Sequence, residues 1–126
     1  MTKYKGQKFS NTFKNARKGM WLTIRSERNI KVHFCAGILA LLTALLFDFS
    51  ISKLCIIIIV IASVISAEMF NSAIEFALDS IYHNKYSRMV GMAKDIAAGA
   101  VMVVTISSVI IGLILFVPPI FKFIFG

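Results

Sequence analysis

Acidic residues are scarce in this chain: six Asp and Glu stand against fourteen Lys and Arg, a formal net charge of +8. Cysteine is scarcer still, with Cys35 and Cys55 at the starts of successive apolar runs. If those runs cross a membrane in opposite directions, the thiols lie near opposite leaflets and beyond disulfide reach. Both cysteines are expected to remain unpaired, and neither they nor the two histidines have metal-site spacing. Proline occurs only at 118 and 119. None of the seven glycines forms a Walker A loop or a Gly-rich turn after a strand, which excludes the soluble-kinase folds. A cleavable signal peptide is not expected, because the basic start is too long and no small-residue cleavage site follows the first apolar run.

What is abundant is apolar. The chain is 58% hydrophobic with a mean hydropathy of +0.81, far beyond the range of a water-soluble domain. The expectation is one small integral membrane domain over residues 1–126, all-α. Met1–Gly6 reads as mobile. Phe9, Phe13, Ala16, Met20 and Ile24 recur at helical intervals, with Lys14, Arg17 and Lys18 off that stripe. Residues 9–24 thus read as an amphipathic helix lying in the membrane interface, with Trp21 at headgroup depth. Three crossings follow, over about 30–49, 54–81 and 94–117, the last ended by Pro118–Pro119. His33, at the entrance of the first crossing, reads as an interfacial side chain.

Nine of the fourteen bases, from Lys3 to Lys31, precede the first apolar run, opposed only by Glu27. Beside membrane helices such a segment meets anionic lipid or substrate phosphate, and a nucleic-acid partner is not expected. Under the positive-inside rule this segment and the Lys85/Arg88/Lys94 loop are cytoplasmic, while the 48–53 turn and the C-terminus are outside. Every acid except Asp48 then gathers at the cytoplasmic end.

The stretch Glu68–Asp79 carries most of them, continuing directly from the uncharged run Leu54–Ala67. At about 100° per residue, Glu75 and Asp79 each lie roughly 20° from Glu68, and Asn71 lies roughly 60° away. An ionised group inside a membrane costs about 2.5–3.5 kcal/mol on insertion scales, so such a stripe implies a use. Carboxylates are hard oxygen ligands that suit Mg²⁺ shared with a phosphate. A partly desolvated carboxylate can also take a proton from an alcohol. Lys94 supplies a positive charge for phosphate. The chemistry points to phosphoryl transfer at the membrane surface; a proton or cation pathway would use the same residue types.

Glu68-x-x-Asn71-Ser72-Ala73-Ile74-Glu75-x-x-x-Asp79, with Ala93-Lys94-Asp95 opening the last crossing, resembles the prokaryotic diacylglycerol kinase family of small membrane kinases. The resemblance extends over nearly the whole chain, including Glu27 and the basic surface helix. It implies a homotrimer with active sites between subunits, using ATP and Mg²⁺ to phosphorylate a lipid hydroxyl without a phosphoenzyme. Position by position, Glu68 matches the general base, and Glu27 with Glu75 the pair holding the cation on the ATP phosphates. Lys94 and Asp95 match the nucleotide-contacting pair, and Asn15 a nucleotide contact of the surface helix. Asn71 matches the amide beside the base, and Ala98 falls near the lipid site. The segment 82–92 departs from the diacylglycerol-specific form, and its nucleotide contacts stay unassigned. Ala97-Ala98-Gly99-Ala100 resembles the Gram-positive branch, whose members act mainly as undecaprenol kinases, although small residues also let helices approach closely. The implied activity is undecaprenol kinase, with diacylglycerol kinase as the alternative and a transporter or scaffold subunit as the reading from another class. A pore needs neither Glu27 nor Lys94, whereas MgATP binding needs both.

Overall fold

The computed structural model describes residues 8–83, 85 and 87–126, so the mobile start expected over Met1–Gly6 lies outside the described residues. Four helices follow in order: α1 Phe9–Ser26, α2 Arg28–Leu46, α3 Ile51–Tyr82 and α4 Arg88–Phe125. The last three are each long and apolar enough to cross a membrane.

Helix ends are set by local chemistry. Glu27 alone separates α1 from α2, its backbone extended (φ −103°, ψ 116°) while its N–H still bonds Thr23 O. At the end of α2, Asp48 takes the left-handed conformation (φ 51°). The N–H of Phe49 returns to Ala44 O at 3.0 Å and that of Asp48 to Leu45 O at 3.2 Å, closing a Schellman motif. Aspartate tolerates this backbone better than most side chains. Ser50 then accepts from Lys53 N and starts α3. His83, also left-handed (φ 50°), closes α3, and Ser87 caps α4 by accepting from Val90 N at 3.2 Å. The loop expected around Lys85, Arg88 and Lys94 is therefore shorter. Helix α4 begins at Arg88, which puts Lys94 and Asp95 inside the helix and not at its mouth.

The buried residues of α2 are Ile30, Gly37 and Ala44, in steps of seven; those of α3 are Ile57, Val64, Glu68 and Ser72. Steps of seven and four keep one seam of a helix facing its neighbour. Gly37 sits where α2 approaches closest: a Cβ there would stand 3.0 Å from Ile61 Cγ2. In lipid, small residues at such points let dispersion contacts do the work that the hydrophobic effect does in water. Helix α4 packs along α3, burying Val90 and Ala97. Outward, Ile38, Leu39, Leu42, Ile59, Val103 and Leu113 are more than half exposed. Apolar surface on that scale suits hydrocarbon. The hydroxyls of Thr43, Ser63 and Ser107 donate to carbonyls one turn back, so they need no outside partner.

Pro118 and Pro119 do not end the last helix, which runs on to Phe125. Phe116 lies 5.1 Å from Phe49 and Phe123 5.7 Å from Phe47, edge-on, so aromatic packing against the α2–α3 turn holds the tail. Neighbouring elements commonly make proline tolerable in such helices. These pairs put the 47–50 turn and the end of α4 together, opposite the acidic stretch of α3.

Candidate active site

The heptad-like seam between α2 and α3 explains why Glu68 is withdrawn. It continues the Ile57–Val64 stripe one turn further, and only 8% of its surface is accessible. A carboxylate this buried needs a partner, since an uncompensated charge there is strongly unfavourable. The partner is His33 on α2, whose Nε2 lies 3.3 Å from Glu68 Oε1, with the imidazole about a quarter exposed. The expectation of an interfacial His33 is corrected here: the ring faces the adjacent helix. Counting out from the 47–50 turn gives the reason. His33 lies roughly 20 Å before it and Glu68 roughly 26 Å after it at about 1.5 Å per residue, within about a helical turn of equal depth.

Glu68, His33 and Ala98 line one groove together with Asn29, Val32 and Thr105, about 440 Å³ in volume. Ala98 is thus brought beside Glu68, with no side chain beyond a methyl to fill the space. A second, almost wholly apolar groove shares His33 and Thr105 with the first. It continues between α2, α3 and α4 past Ile57, Ile61 and Gly112 to Phe116. From Thr105 to Phe116 the path follows α4 for roughly 16 Å. Asn71 has its Oδ1 buried with no hydrogen-bond partner among the described residues.

Lys94 and Asp95 stand elsewhere. They line a separate pocket of about 320 Å³ with Asp79, Lys85 and Gly91, at the junction of α3 and α4. Lys94 Nζ donates to Asp79 Oδ1 at 2.6 Å, both side chains being rather more than a third exposed. The third member of the acidic stripe therefore balances a lysine. Lys85, expected only as a loop charge, joins this pocket. Glu27 at the α1–α2 break and Glu75 on α3 are half-exposed, and Asn15 is exposed on α1; none of the three lines either the groove or the Lys94 pocket. Among the described residues no three His, Cys, Asp or Glu side chains cluster into a ready metal site. The donor chemistry of Glu27 and Glu75 nevertheless fits a hard cation that keeps water and phosphate in its shell, because such an ion uses only one or two carboxylates.

The model of prokaryotic diacylglycerol kinases matches residues 14–116. The chain belongs to the prokaryotic diacylglycerol kinase family. Among its relatives in that family is an undecaprenol kinase of Bacillus subtilis (strain 168), 40% identical over 111 residues, which cover 88% of this chain and 89% of that one. A diacylglycerol kinase of Synechocystis sp. (strain ATCC 27184 / PCC 6803 / Kazusa) is 29% identical over 108 residues, 86% of this chain and 62% of that one. This member of the diacylglycerol kinase family is a kinase and a membrane protein, and the transporter or scaffold reading is set aside.

Proposed function

We propose that this protein is an undecaprenol kinase, a single membrane domain over residues 1–126 that moves the γ-phosphoryl group of ATP to the terminal hydroxyl of undecaprenol. The observation that carries this reading is the position of Glu68, buried at the head of an apolar groove that leads away between the helices. The fuller relatedness to the undecaprenol kinase supports the same choice, diacylglycerol kinase being the second reading. A polyprenol offers one hydroxyl and a long hydrocarbon chain, and an apolar groove suits it; an ester headgroup would call for donors along the path.

In the proposed reaction Glu68 takes the proton as the lipid oxygen bonds to the γ-phosphorus and the bond to the β–γ bridging oxygen breaks. The products are the lipid phosphate and ADP, and the proton passes from Glu68 to solvent. Holding an alcohol and a base in this geometry is worth about 10²–10⁴ in rate. Asn71, on the same stripe as Glu68, would orient the base or the lipid hydroxyl; its Oδ1 is buried and lacks a donor among the described residues. Lys94 meets the nucleotide phosphates on exchanging Asp79 for them, with Asp95 and Asn15 as further nucleotide contacts. Glu27 and Glu75 would hold Mg²⁺ on those phosphates, where the ion offsets negative charge as the group transfers.

The amphipathic α1 lies in the cytoplasmic interface: Phe9, Phe13 and Trp21 are exposed on it, interleaved with lysine and arginine. The N-terminus and active site face the cytoplasm, the C-terminus faces outside, and three copies assemble so that neighbouring subunits complete each site. Transfer of radiolabelled phosphate from ATP to undecaprenol in detergent micelles tests the activity. Labelled undecaprenyl phosphate is expected; an unlabelled lipid fraction beside intact, folded protein would overturn it.

A further inference from the structure

We infer that His33 is a positioning residue for Glu68, an inference that rests on Glu68 being the base of the proposed reaction. Glu68 is nine-tenths buried, in a seam otherwise filled by Ile57, Val64 and Ser72. Left alone, its side chain would turn toward the half-open groove and the nearest water. The His33 imidazole, 3.3 Å from Oε1, prevents this from the opposite helix. A hydrogen bond from Nε2 occupies one carboxylate oxygen and leaves the other with its lone pairs for the substrate hydroxyl.

Three observations point the same way. His33 is the one ring within hydrogen-bond distance of Glu68 among the described residues. It lines both the groove that contains Glu68 and the longer apolar groove beyond it, so it stands at their junction. Its helix is held close to α3 one turn away by Gly37, which gives the contact a fixed depth. The ring therefore marks where a lipid hydroxyl must stop, as well as orienting the group that deprotonates it.

The test compares His33→Leu, His33→Gln and His33→Asn in micelles, with Glu68→Gln alone and combined with His33→Leu. The glutamine amide nitrogen reaches about as far as the imidazole Nε2 and can donate to Glu68, while the asparagine amide stops short. His33→Leu and His33→Asn are expected to lower kcat roughly ten-fold or more, the loss of one hydrogen bond to a buried charged group. KM for ATP is expected to stay put, and His33→Gln to return kcat to within about three-fold of the parent, since it restores that bond. In the Glu68→Gln background His33→Leu is expected to cost nothing further, because there is no charged base left to position.

A His33→Leu protein within two-fold of the parent would overturn the inference. So would a glutamine variant as slow as the leucine one, or a loss that appears in KM for ATP instead of kcat. Should the leucine variant fail to fold, the Asn/Gln pair carries the same decision on near-isosteric polar side chains. A Glu68→Gln protein that keeps parental turnover is a different failure: it removes the base itself and is read from that variant alone.

Discussion

Glu68 and Asp79 stand on one stripe of the same helix, three turns apart, yet the chain has put them in opposite environments. Glu68 is buried against a histidine at the head of an apolar groove. Asp79 is half-exposed against a lysine in a pocket lined with charge. The difference comes from the neighbours. At Glu68, helix α3 is still packed into the seam with α2. Near Asp79 it has outrun α2 and meets the first turns of α4, where Lys94 and Lys85 bring charge and water. A carboxylate in the first setting is largely withdrawn from water, as the proposed base requires. One in the second exchanges readily with a phosphate, because an exposed ion pair is worth little. In the proposed reaction one helix face would thus serve a lipid end and a nucleotide end.

The sharpest break in that division is Glu68→Gln, which keeps the shape and removes the basicity. Turnover is expected to fall by about 10²–10⁴, with KM for ATP unchanged, in steady-state assays that vary both substrates. Lys94→Met should do the reverse. It would remove the proposed charge-assisted contact to phosphate, so KM for ATP is expected to rise roughly ten-fold or more while the lipid KM stays level. Glu27→Gln and Glu75→Gln are each expected to raise, several-fold, the Mg²⁺ concentration giving half-maximal rate; a parental Mg²⁺ titration in either variant would remove that residue from the cation site. The smallest catalytic effect belongs to the seam beneath both ends. Gly37→Leu overfills the approach to Ile61 and is expected to cost about 1–3 kcal/mol of stability, seen as a lower unfolding midpoint in mixed micelles, with Gly37→Ala much milder.

Much of this was legible in the sequence because the membrane simplifies the problem. Runs without charge mark α2, α3 and α4, and the acidic stripe follows from spacing along one helix. Spacing says nothing of depth, however. Glu68 and Asp79 look equivalent on a helical wheel, and only the packing of α2 beside one of them separates the two. The His33–Glu68 contact was missed for the same reason, since it joins residues on different helices. Counting both from the shared turn was the available signal. Pro118 and Pro119 misled because proline is judged by its own backbone, whereas Phe49 and Phe47, distant in sequence, pack on Phe116 just before them and on Phe123 beyond them. The thiols of Cys35 and Cys55 are free, as expected of positions at the starts of successive apolar runs, and both residues are exposed.

The division into a lipid end and a nucleotide end stands most directly on what the groove under Glu68 accepts. Matched kcat/KM values for undecaprenol and diacylglycerol, in the same mixed micelles at saturating ATP, measure it. An apolar groove discriminates weakly, by about 1–3 kcal/mol for a methylene-sized difference. Undecaprenol is therefore expected to be preferred, with diacylglycerol phosphorylated slowly and not refused. A clear preference for diacylglycerol would contradict the reading of the groove and give the activity to the diacylglycerol kinase alternative.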